Sequence, residues 1–453
     1  MFRGRGTATE TGFCTSSIPL GPTVRTLSTE DIDLKVSYKA LAHFAAHGSP
    51  RGTALLEALT AAGDVSGGRW RGSLLLVRGA PRDGFWVRAL QAFSLGAWAT
   101  MHGANWAVLA NYSDAFWAPR LGGSLSGWEQ YFVPSHSVPL SSVLDEQRAW
   151  REGRGGRGGR APRALLEMSC DATMRLSFST FSAPDHVYPR QAAAAARWRR
   201  LGAAAADAWL RPRSEIEAEA DAQWARLIGA GPASSSEAVG AAATGAAPPV
   251  VVLGVHMRGT DKHLRPKVAP ERYYRLIDAF VAHHEGRRNE ARNEARNEGR
   301  NEGRGRRDQA RRRDVRLFLA TDDQAYAAAV VARYGSASHG GRVVQQQGIR
   351  HFAVTEQAQG GVLRGRADAP IWGAAASAEG ASGASEEAPA YRRGVEVLLD
   401  TLLLSRCAYL LKSASAVSEF AIYLNPRLAN ASYDFNIDDQ AEPSWLNSDV
   451  QYE

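Results

Sequence analysis

The second half of the chain alternates short apolar runs with amphipathic segments, and this alternation limits the folds open to it. Val250 to His256 has the pattern of a continuous apolar strand, buried on both faces of a parallel sheet. Further predicted strands follow at Val315 to Ala320, Arg342 to Gln345 and Ala408 to Leu411. Because segments with helical spacing separate these strands, the sequence predicts a doubly wound α/β domain.

The first half of the chain shows a weaker form of the same pattern. Trp70 to Val77 and Trp106 to Leu109 are predicted strands, and Gly84 to Ala99 has helical spacing between them. The Ala-rich segment Ala192 to Leu227 predicts two helices that break at Arg211-Pro212, because proline removes a helical hydrogen bond. We therefore predict a second α/β unit that ends in a helical connector.

Five stretches are expected to lie outside the packed core because of their composition or position. They are a disordered tail, a Gly/Arg-rich loop, two low-complexity insertions and a C-terminal tail, at residues 1–30, 150–163, 285–313, 374–389 and 441–453. Gly/Arg runs can bind RNA, but a solvated loop is the favoured interpretation, so no nucleic-acid partner is expected. The remaining chain divides into an N-terminal domain at 31–228 and a C-terminal domain at 229–440.

The composition is that of an ordinary globular protein, with 44% hydrophobic and 22% charged residues. The net charge of +7 says little about partners, because much of the excess arginine lies in the biased stretches. Cys14, Cys170 and Cys407 are too few and too scattered for a disulfide framework or a zinc site. No apolar run reaches the roughly 18 residues of a membrane span, and the N-terminus lacks the apolar core of a secretory signal.

Polar and charged side chains follow three of the predicted strands in the second half. The first strand ends in His256-Met257-Arg258-Gly259-Thr260-Asp261-Lys262, the second in Thr321-Asp322-Asp323 and the last in Lys412-Ser413-Ala414-Ser415. In open α/β sheets, ligands bind in the crevice at the carboxyl ends of the strands. The sequence therefore predicts that these three segments line one polar edge of the sheet.

The residue types at this edge suit a nucleoside diphosphate. Arg258 and Lys262 can contact a phosphate, arginine through a planar bidentate fork and lysine as a point charge. Asp322 or Asp323 can accept hydrogen bonds from a base or a ribose. No Walker motif is present, and no GxGxxG pattern follows a predicted strand and opens a helix, so the chain is not predicted to be a standard ATPase or dinucleotide-binding protein.

The same residues also have purely structural interpretations. Ser413 and Ser415 precede a helix whose N-terminal amides favour an anion, but either serine is equally able to cap that helix. Asp322, at the end of a strand, is a common type of helix N-cap, and Arg258 can pair with Asp261 in a surface network. The joint position of these residues on three strand ends favours the ligand-binding interpretation.

Three motifs, in their order along the chain, resemble the fucosyltransferase superfamily that includes the α1,6-fucosyltransferases and protein O-fucosyltransferases. They are LGVHMRGTDK, LFLATDD and GVEVLLDTLLLSRCAYLLKSASAVSEF. Upstream, WLRPRSEIEAEADAQW is similar to the segment before the first motif of the α1,6 enzymes, and WEQYFVP at Trp128 to Pro134 looks like part of an acceptor-side domain. The resemblance covers about residues 70–430. It implies a GT-B fold with two Rossmann-like α/β domains and a nucleotide-sugar site in the C-terminal one.

The resemblance also implies an activity, namely inverting transfer of fucose from GDP-fucose to a glycan or glycoprotein acceptor without a metal ion or a further cofactor. Arg258 would hold the β-phosphate and stabilise the departing GDP, and we place Asp261 and Lys262 beside it in the catalytic group. The donor pocket would be formed with the help of His256, Asp322, Asp400 and Ser415. The family implies the Golgi or secretory lumen as the compartment, which the sequence itself does not indicate.

The chain departs from the α1,6 enzymes at two positions of the first motif. Gly259 stands where those enzymes have a second arginine, and Pro266 stands where they have a glutamate four residues beyond the lysine. The second departure removes an expected acceptor-activating carboxylate, for which Asp261 and Glu271 are two unranked candidates. Two alternatives therefore stay open, a protein O-fucosyltransferase and a catalytically silent nucleotide-sugar-binding or glycan-binding protein of the same fold.

Overall fold

The computed structural model describes fourteen parts of the chain. They are residues 24–27, 57, 59, 71–78, 85–109, 127–135, 137–152, 165–168, 190–229, 250–258, 268–285, 314–335, 343–345 and 389–447. The predictions for Gly259, Asp261, Lys262 and Pro266 lie outside the described residues. So do those for most of the Gly/Arg-rich loop and of both low-complexity insertions.

The N-terminal part forms a four-stranded sheet in the order β1-β4-β2-β3, in which every pair of neighbouring strands is parallel. The strands are β1 Val24–Leu27, β2 Leu74–Arg78, β3 Asn105–Leu109 and β4 Leu165–Met168. Helix α1, Phe85–Met101, connects β2 to β3, and helix α2, Leu140–Arg151, lies between β3 and β4 in the chain. Both crossovers are of the kind that parallel strands require.

Two helices lead from this sheet to the C-terminal part of the chain. They are α3, Ala192–Trp209, and α4, Ser214–Leu227. The break between them lies at the predicted Arg211-Pro212. None of the helices among the described residues has both the length and the apolar character that a membrane span requires.

The C-terminal part forms a five-stranded parallel sheet in the order β7-β6-β5-β8-β9. The strands are β5 Val250–Met257, β6 Asp314–Thr321, β7 Val343–Gln345, β8 Tyr409–Lys412 and β9 Ser432–Asp434. The helices are α5 Pro270–Glu285, α6 Gln324–Tyr334, α7 Pro389–Arg406, α8 Ala416–Leu424 and α9 Ser444–Asn447, with a 3₁₀ turn at Pro426–Ala429.

Helices cover both faces of β5, which explains its continuous apolar sequence. Leu253 and Val255 belong to a buried cluster with residues of α5 and α6, whereas Val252 belongs to a cluster with residues of α7 and α8. On the α7 side the packing is close, because a Cβ placed at Gly254 would lie 3.0 Å from the sulfur of Cys407. The strand is therefore buried from two sides, as the sequence pattern predicts.

One continuous buried cluster joins the N-terminal helix α1 to helices α7 and α8 of the C-terminal part. The Trp86 ring stacks on Phe420 with centroids 4.1 Å apart, and its Nε1 donates to Thr401 Oγ1 at 2.7 Å. Tyr131 stacks on Tyr391 with centroids 5.3 Å apart. The N-terminal and C-terminal parts therefore pack together through a shared aromatic core.

The two parallel sheets and their helices confirm the predicted α/β class and the two-sheet organisation. The structure differs from the expected tails in two places. Val24–Leu27 forms an edge strand with Leu27 fully buried, and Ser444–Asn447 forms α9, whose Trp445 packs edge-on against Phe280 with centroids 5.4 Å apart. Helix α2 also continues to Arg151, into the predicted loop. The strand Val24–Leu27 and helix α9 have four residues each, which is too few to show a periodicity in the sequence. They are recognised only from the residues that they pack against. The domain boundaries stay predictions.

Candidate functional site

The carboxyl ends of β5, β6, β8 and β9 meet along one edge of the C-terminal sheet. The strand register places His256 beside Lys412 in β8 and beside Ala320 in β6, and it places Lys412 beside Asp434 in β9. His256 is 6% exposed, and Lys412 and Asp434 are fully buried. A row of ionisable side chains therefore lies inside the protein just below this edge.

Arg258 follows β5 and is held by two serines that follow β8. Its backbone N–H donates to Ser413 Oγ at 3.2 Å, and its guanidinium Nη1 donates to Ser415 Oγ at 3.1 Å. Ser415 is also the N-cap of α8, because its Oγ accepts from the Val417 N–H at 3.2 Å. The capping role and the contact with Arg258 thus coexist, and they place the guanidinium at the N-terminal end of α8.

This arrangement concentrates positive potential at one point of the edge. The N-terminus of a helix carries a partial positive charge from its aligned peptide dipoles, and its first amides can donate to an anion. The partly buried guanidinium of Arg258 adds a permanent unit charge at the same place. The combination suits the binding of a phosphate or diphosphate group.

His256 contributes a neutral ring to this edge. Burial, and after it the charges of Arg258 and Lys412, lower the pKa of His256 to about 3. Among the described residues, the buried Nδ1 of this ring has no hydrogen-bond partner. The backbone carbonyl of His256 accepts from the hydroxyl of Tyr273 at 3.2 Å, which fixes the end of β5 against α5. A neutral imidazole here can hydrogen-bond to a ligand without adding charge.

The two aspartates after β6 take different positions. Asp323 is the N-cap of α6, because its Oδ1 accepts from the N–H groups of Ala325 at 2.9 Å and Tyr326 at 3.3 Å. The structural interpretation predicted Asp322 as the cap, and this is wrong by one residue, because the helix begins after Asp323. Asp322 lies partly buried at the same strand end and is not the cap. The carboxylate of Asp323 is therefore engaged in the cap of α6, and that of Asp322 is not part of this cap.

The side chain of Tyr326 shows which carboxylates gather near α6. Burial, and after it the charges of Asp323, Asp322 and Glu271, raise the pKa of Tyr326. Its hydroxyl donates to the carbonyl of Val268 at 2.9 Å. Glu271, the exposed carboxylate proposed as one substitute for the missing glutamate, therefore lies on the same side of the sheet as Asp322.

Asp400 lies on α7, one turn before Leu404. A Cβ placed at Gly254 of β5 would lie 3.2 Å from Leu404 Cδ2, so Leu404 faces the sheet. Residues four apart share a helix face, which places the partly buried Asp400 on the side of α7 that faces β5. This is also the face of β5 that carries His256, because side chains alternate along a strand.

A buried group of four charged residues lies beside the site, and of these the sequence pattern placed only Lys412 at the polar edge. Lys412 Nζ donates to Glu419 Oε1 at 2.7 Å and to Asp434 Oδ2 at 2.6 Å, and Arg199 donates to both carboxylates. We call Arg199, Lys412, Glu419 and Asp434 the charge cluster. One signal was available, since Glu419 interrupts the apolar helix AVSEFAIYL at a position that packing would bury.

The remaining predictions for the site have no structural outcome. Asp261 and Lys262, placed beside Arg258 by the sequence analysis, lie outside the described residues. Within the described ranges, His, Cys, Asp and Glu side chains form no group of three that could hold a metal ion. That the reaction needs no metal stays a prediction.

No family model matches the chain. No curated protein matches it either.

Comparison with solved structures finds similar proteins at low sequence identity. The chain is similar to the fucosyltransferase NodZ from Bradyrhizobium, with 14% identity, a TM-score of 0.33 and coverage of 79% of this chain and 94% of that one. It is similar to NodZ α-1,6-fucosyltransferase soaked with GDP-fucose, with 15% identity, a TM-score of 0.34 and the same coverage of both chains. It is also similar to a variant of Arabidopsis thaliana FUT1 in complex with GDP, with 9% identity, a TM-score of 0.33 and coverage of 88% and 77%.

Proposed function

We propose that the chain is an inverting glycosyltransferase that transfers fucose from GDP-fucose to a glycan acceptor. The observation that carries the proposal is the position of the Arg258 guanidinium, 3.1 Å from the hydroxyl that caps α8 and at the carboxyl edge of a parallel sheet. A helix N-terminus and a held arginine at this edge are suited to the diphosphate of a nucleotide sugar.

The chemistry of the donor explains why such a position matters. When the bond to the sugar breaks, negative charge grows on the departing diphosphate, and a fixed positive group at that place lowers the barrier. Arg258 is held in advance by Ser413 and Ser415, so little reorganisation is needed as the charge develops. A base must accept the proton of the acceptor hydroxyl, and Glu271 and Asp261 remain candidates for this base.

The choice of GDP-fucose among nucleotide sugars rests on the motif resemblance. His256 supports a donor pocket at this edge, since its buried and neutral ring is able to hydrogen-bond to a diphosphate or a sugar. To Asp322 we assign the role of hydrogen-bond acceptor for a base or a ribose. A protein O-fucosyltransferase and a silent nucleotide-sugar-binding protein would share this pocket, and the proposed function implies a Golgi or secretory compartment.

Donor cleavage tests this proposal. The purified protein is incubated with GDP-fucose, GDP-mannose, UDP-galactose and UDP-glucose, each with and without EDTA, and release of the nucleoside diphosphate is measured. We expect GDP-fucose to be cleaved fastest, at a rate that EDTA does not change. The Arg258→Lys variant, prepared identically, is the control for contaminating hydrolases.

The other outcomes separate the alternatives. Preference for a UDP-sugar would refute the donor, and loss of cleavage in EDTA would refute metal independence. Binding of GDP without cleavage of any donor, with or without glycan or peptide acceptors, would show a silent binding protein. Transfer to an unglycosylated folded protein, but not to a glycan, would show direct O-fucosylation.

A further inference from the structure

The charge cluster is completely buried and its carboxylates are fully engaged. Its four side chains are at most 6% exposed. Arg199 donates from Nε to Glu419 Oε2 at 3.0 Å and from Nη2 to Glu419 Oε1 at 2.7 Å and Asp434 Oδ2 at 3.0 Å. The remaining oxygen, Asp434 Oδ1, accepts from the Asn436 N–H at 3.0 Å. Two cations and two carboxylates therefore form a neutral network.

A network of this kind fixes geometry more than it adds stability. Removing charges from water carries a large penalty that their mutual attraction only offsets when the geometry is good, and apolar replacements of similar volume often serve stability equally well. Burial opposes ionisation of Glu419, but Arg199 and Lys412 outweigh it and lower the pKa of this carboxyl to about 2. Glu419 is thus ionised in the folded protein, and its hydrogen bonds to Arg199 and Lys412 hold the three elements in one arrangement.

The elements that the cluster holds are those that carry the proposed phosphate site. Lys412 immediately precedes Ser413, and Glu419 lies one helical turn after Ser415 in α8. Ser418 adds to this attachment, because its Oγ donates to the carbonyl of Ser415 at 3.1 Å. Together with the apolar packing around Phe420, these attachments hold α8 in place, and with it the Ser415 contact to Arg258.

Arg199 brings the N-terminal part of the protein into this attachment. It lies on α3, whose Trp209 packs against Phe93 of α1 and Trp106 of β3, with centroids 5.5 Å and 5.7 Å apart. Helix α3 also approaches α8 closely, because a Cβ at Gly202 would lie 2.6 Å from the ring of Tyr423. Helix α8 is therefore aligned against an element that belongs to the core of the first sheet.

We propose that Arg199 is a positioning residue for donor binding, which acts through Glu419 and Ser415 on the guanidinium of Arg258. This inference rests on the proposed function, since it assigns the diphosphate of the donor to Arg258. It adds a residue that lies outside the strand ends and outside the three sequence motifs. Its role is to set the angle at which α8 presents its N-terminus and its capping serine.

A double-mutant cycle on GDP binding tests the proposal. GDP affinity is measured by calorimetry for the parent, Arg199→Lys, Arg258→Lys and the double variant, all well below their melting temperatures. Lysine keeps the charge of Arg199 but loses the fork that holds Glu419 through two nitrogens. We expect Arg199→Lys to weaken GDP binding by on the order of tenfold in the parent, and by less than about twofold when Arg258 is already lysine.

Two further variants separate positioning from general damage. In a second cycle, Glu419→Gln takes the place of Arg199→Lys and weakens the Arg199–Glu419 pair from the carboxylate side. A folding defect in one of the two variants then does not decide the outcome. Ile277→Ala removes a fully buried apolar side chain from the hydrophobic core between the sheet and helices α5 and α6, on the face opposite to the charge cluster. It should lower stability while leaving GDP affinity within about twofold, since independent sites act additively.

Each result has a distinct meaning. Equal loss of affinity in both backgrounds, or no loss in the parent, would refute the positioning role while leaving the proposed function intact. A parent protein that does not bind GDP would refute the proposed function itself, and the positioning role with it.

Discussion

Replacing Arg258 with lysine is expected to lower the rate of GDP-fucose cleavage by on the order of a hundredfold or more, as for removal of a preorganised transition-state donor. Lysine retains the positive charge but not the planar fork, so the diphosphate would lose a fixed partner as its charge develops. The contact from Nη1 to Ser415 would also be lost. Steady-state kinetics over a range of donor concentrations give kcat and KM of the variant, which are compared with those of the parent.

Arg316 provides a matched control for this substitution. It lies near the amino end of β6, away from the site, and its guanidinium Nη2 pairs with Asp314 at 3.0 Å. Arg316→Lys should leave donor cleavage within about twofold, and both variants should change the free energy of unfolding by less than about 1 kcal/mol. If Arg258→Lys cleaves GDP-fucose within threefold of the parent rate, the guanidinium does not stabilise the departing diphosphate.

Replacing Lys412 with methionine is expected to lower the free energy of unfolding by about 3–5 kcal/mol, the range for breaking a buried ion pair from one side. Methionine fills much of the volume of the lysine stem, but Glu419 and Asp434 would then share one cation, Arg199, in a fully buried place. Urea denaturation at neutral pH gives the free energy, with the urea dependence of the transition checked for two-state behaviour.

Arg406 is the control for this second substitution. It pairs with Asp221, which is 70% exposed, and its own side chain is 27% exposed. Because exposed pairs contribute little, Arg406→Met should cost less than about 1 kcal/mol. A Lys412→Met variant as stable as the parent would contradict a charged, tightly paired cluster, since it would mean that the two carboxylates tolerate the loss of a cation.

The sequence was sufficient to predict those helices and strands whose surroundings are similar along their whole length. A strand covered on both faces must be apolar along its length, so β5 and its polar end at Arg258 were predictable from Val250 to His256 alone. Arg258 and Ser415 each follow the carboxyl end of a predicted parallel strand, and this was enough to predict that they lie at the same edge of the sheet. A helix N-cap at the end of β6 was also predictable, but the predicted residue was Asp322, and the structure has Asp323 in this position.

Other features depend on contacts between distant parts of the chain. Arg199 stands in an Ala-rich helix among other arginines, and nothing local marks it as the one that is 6% exposed and paired with Glu419. The strand Val24–Leu27 is too short to be recognised without its partner Leu165–Met168. In each case long-range contacts decide the structure, and sequence patterns report only neighbours in the chain.

The most direct test of a nucleotide site at the end of β5 is a GDP titration monitored by thermal unfolding. A ligand that binds only the folded protein raises its melting temperature, and above the dissociation constant the effect grows with the logarithm of the ligand concentration. We expect GDP at millimolar concentration to raise the melting temperature of the parent by several degrees, to do so less in Arg258→Lys, and to act on Arg316→Lys as on the parent. Guanosine, which lacks the phosphates, should produce little shift. If millimolar GDP leaves the melting temperature of the parent unchanged, the charges that follow this strand serve the fold alone and the proposed function is wrong.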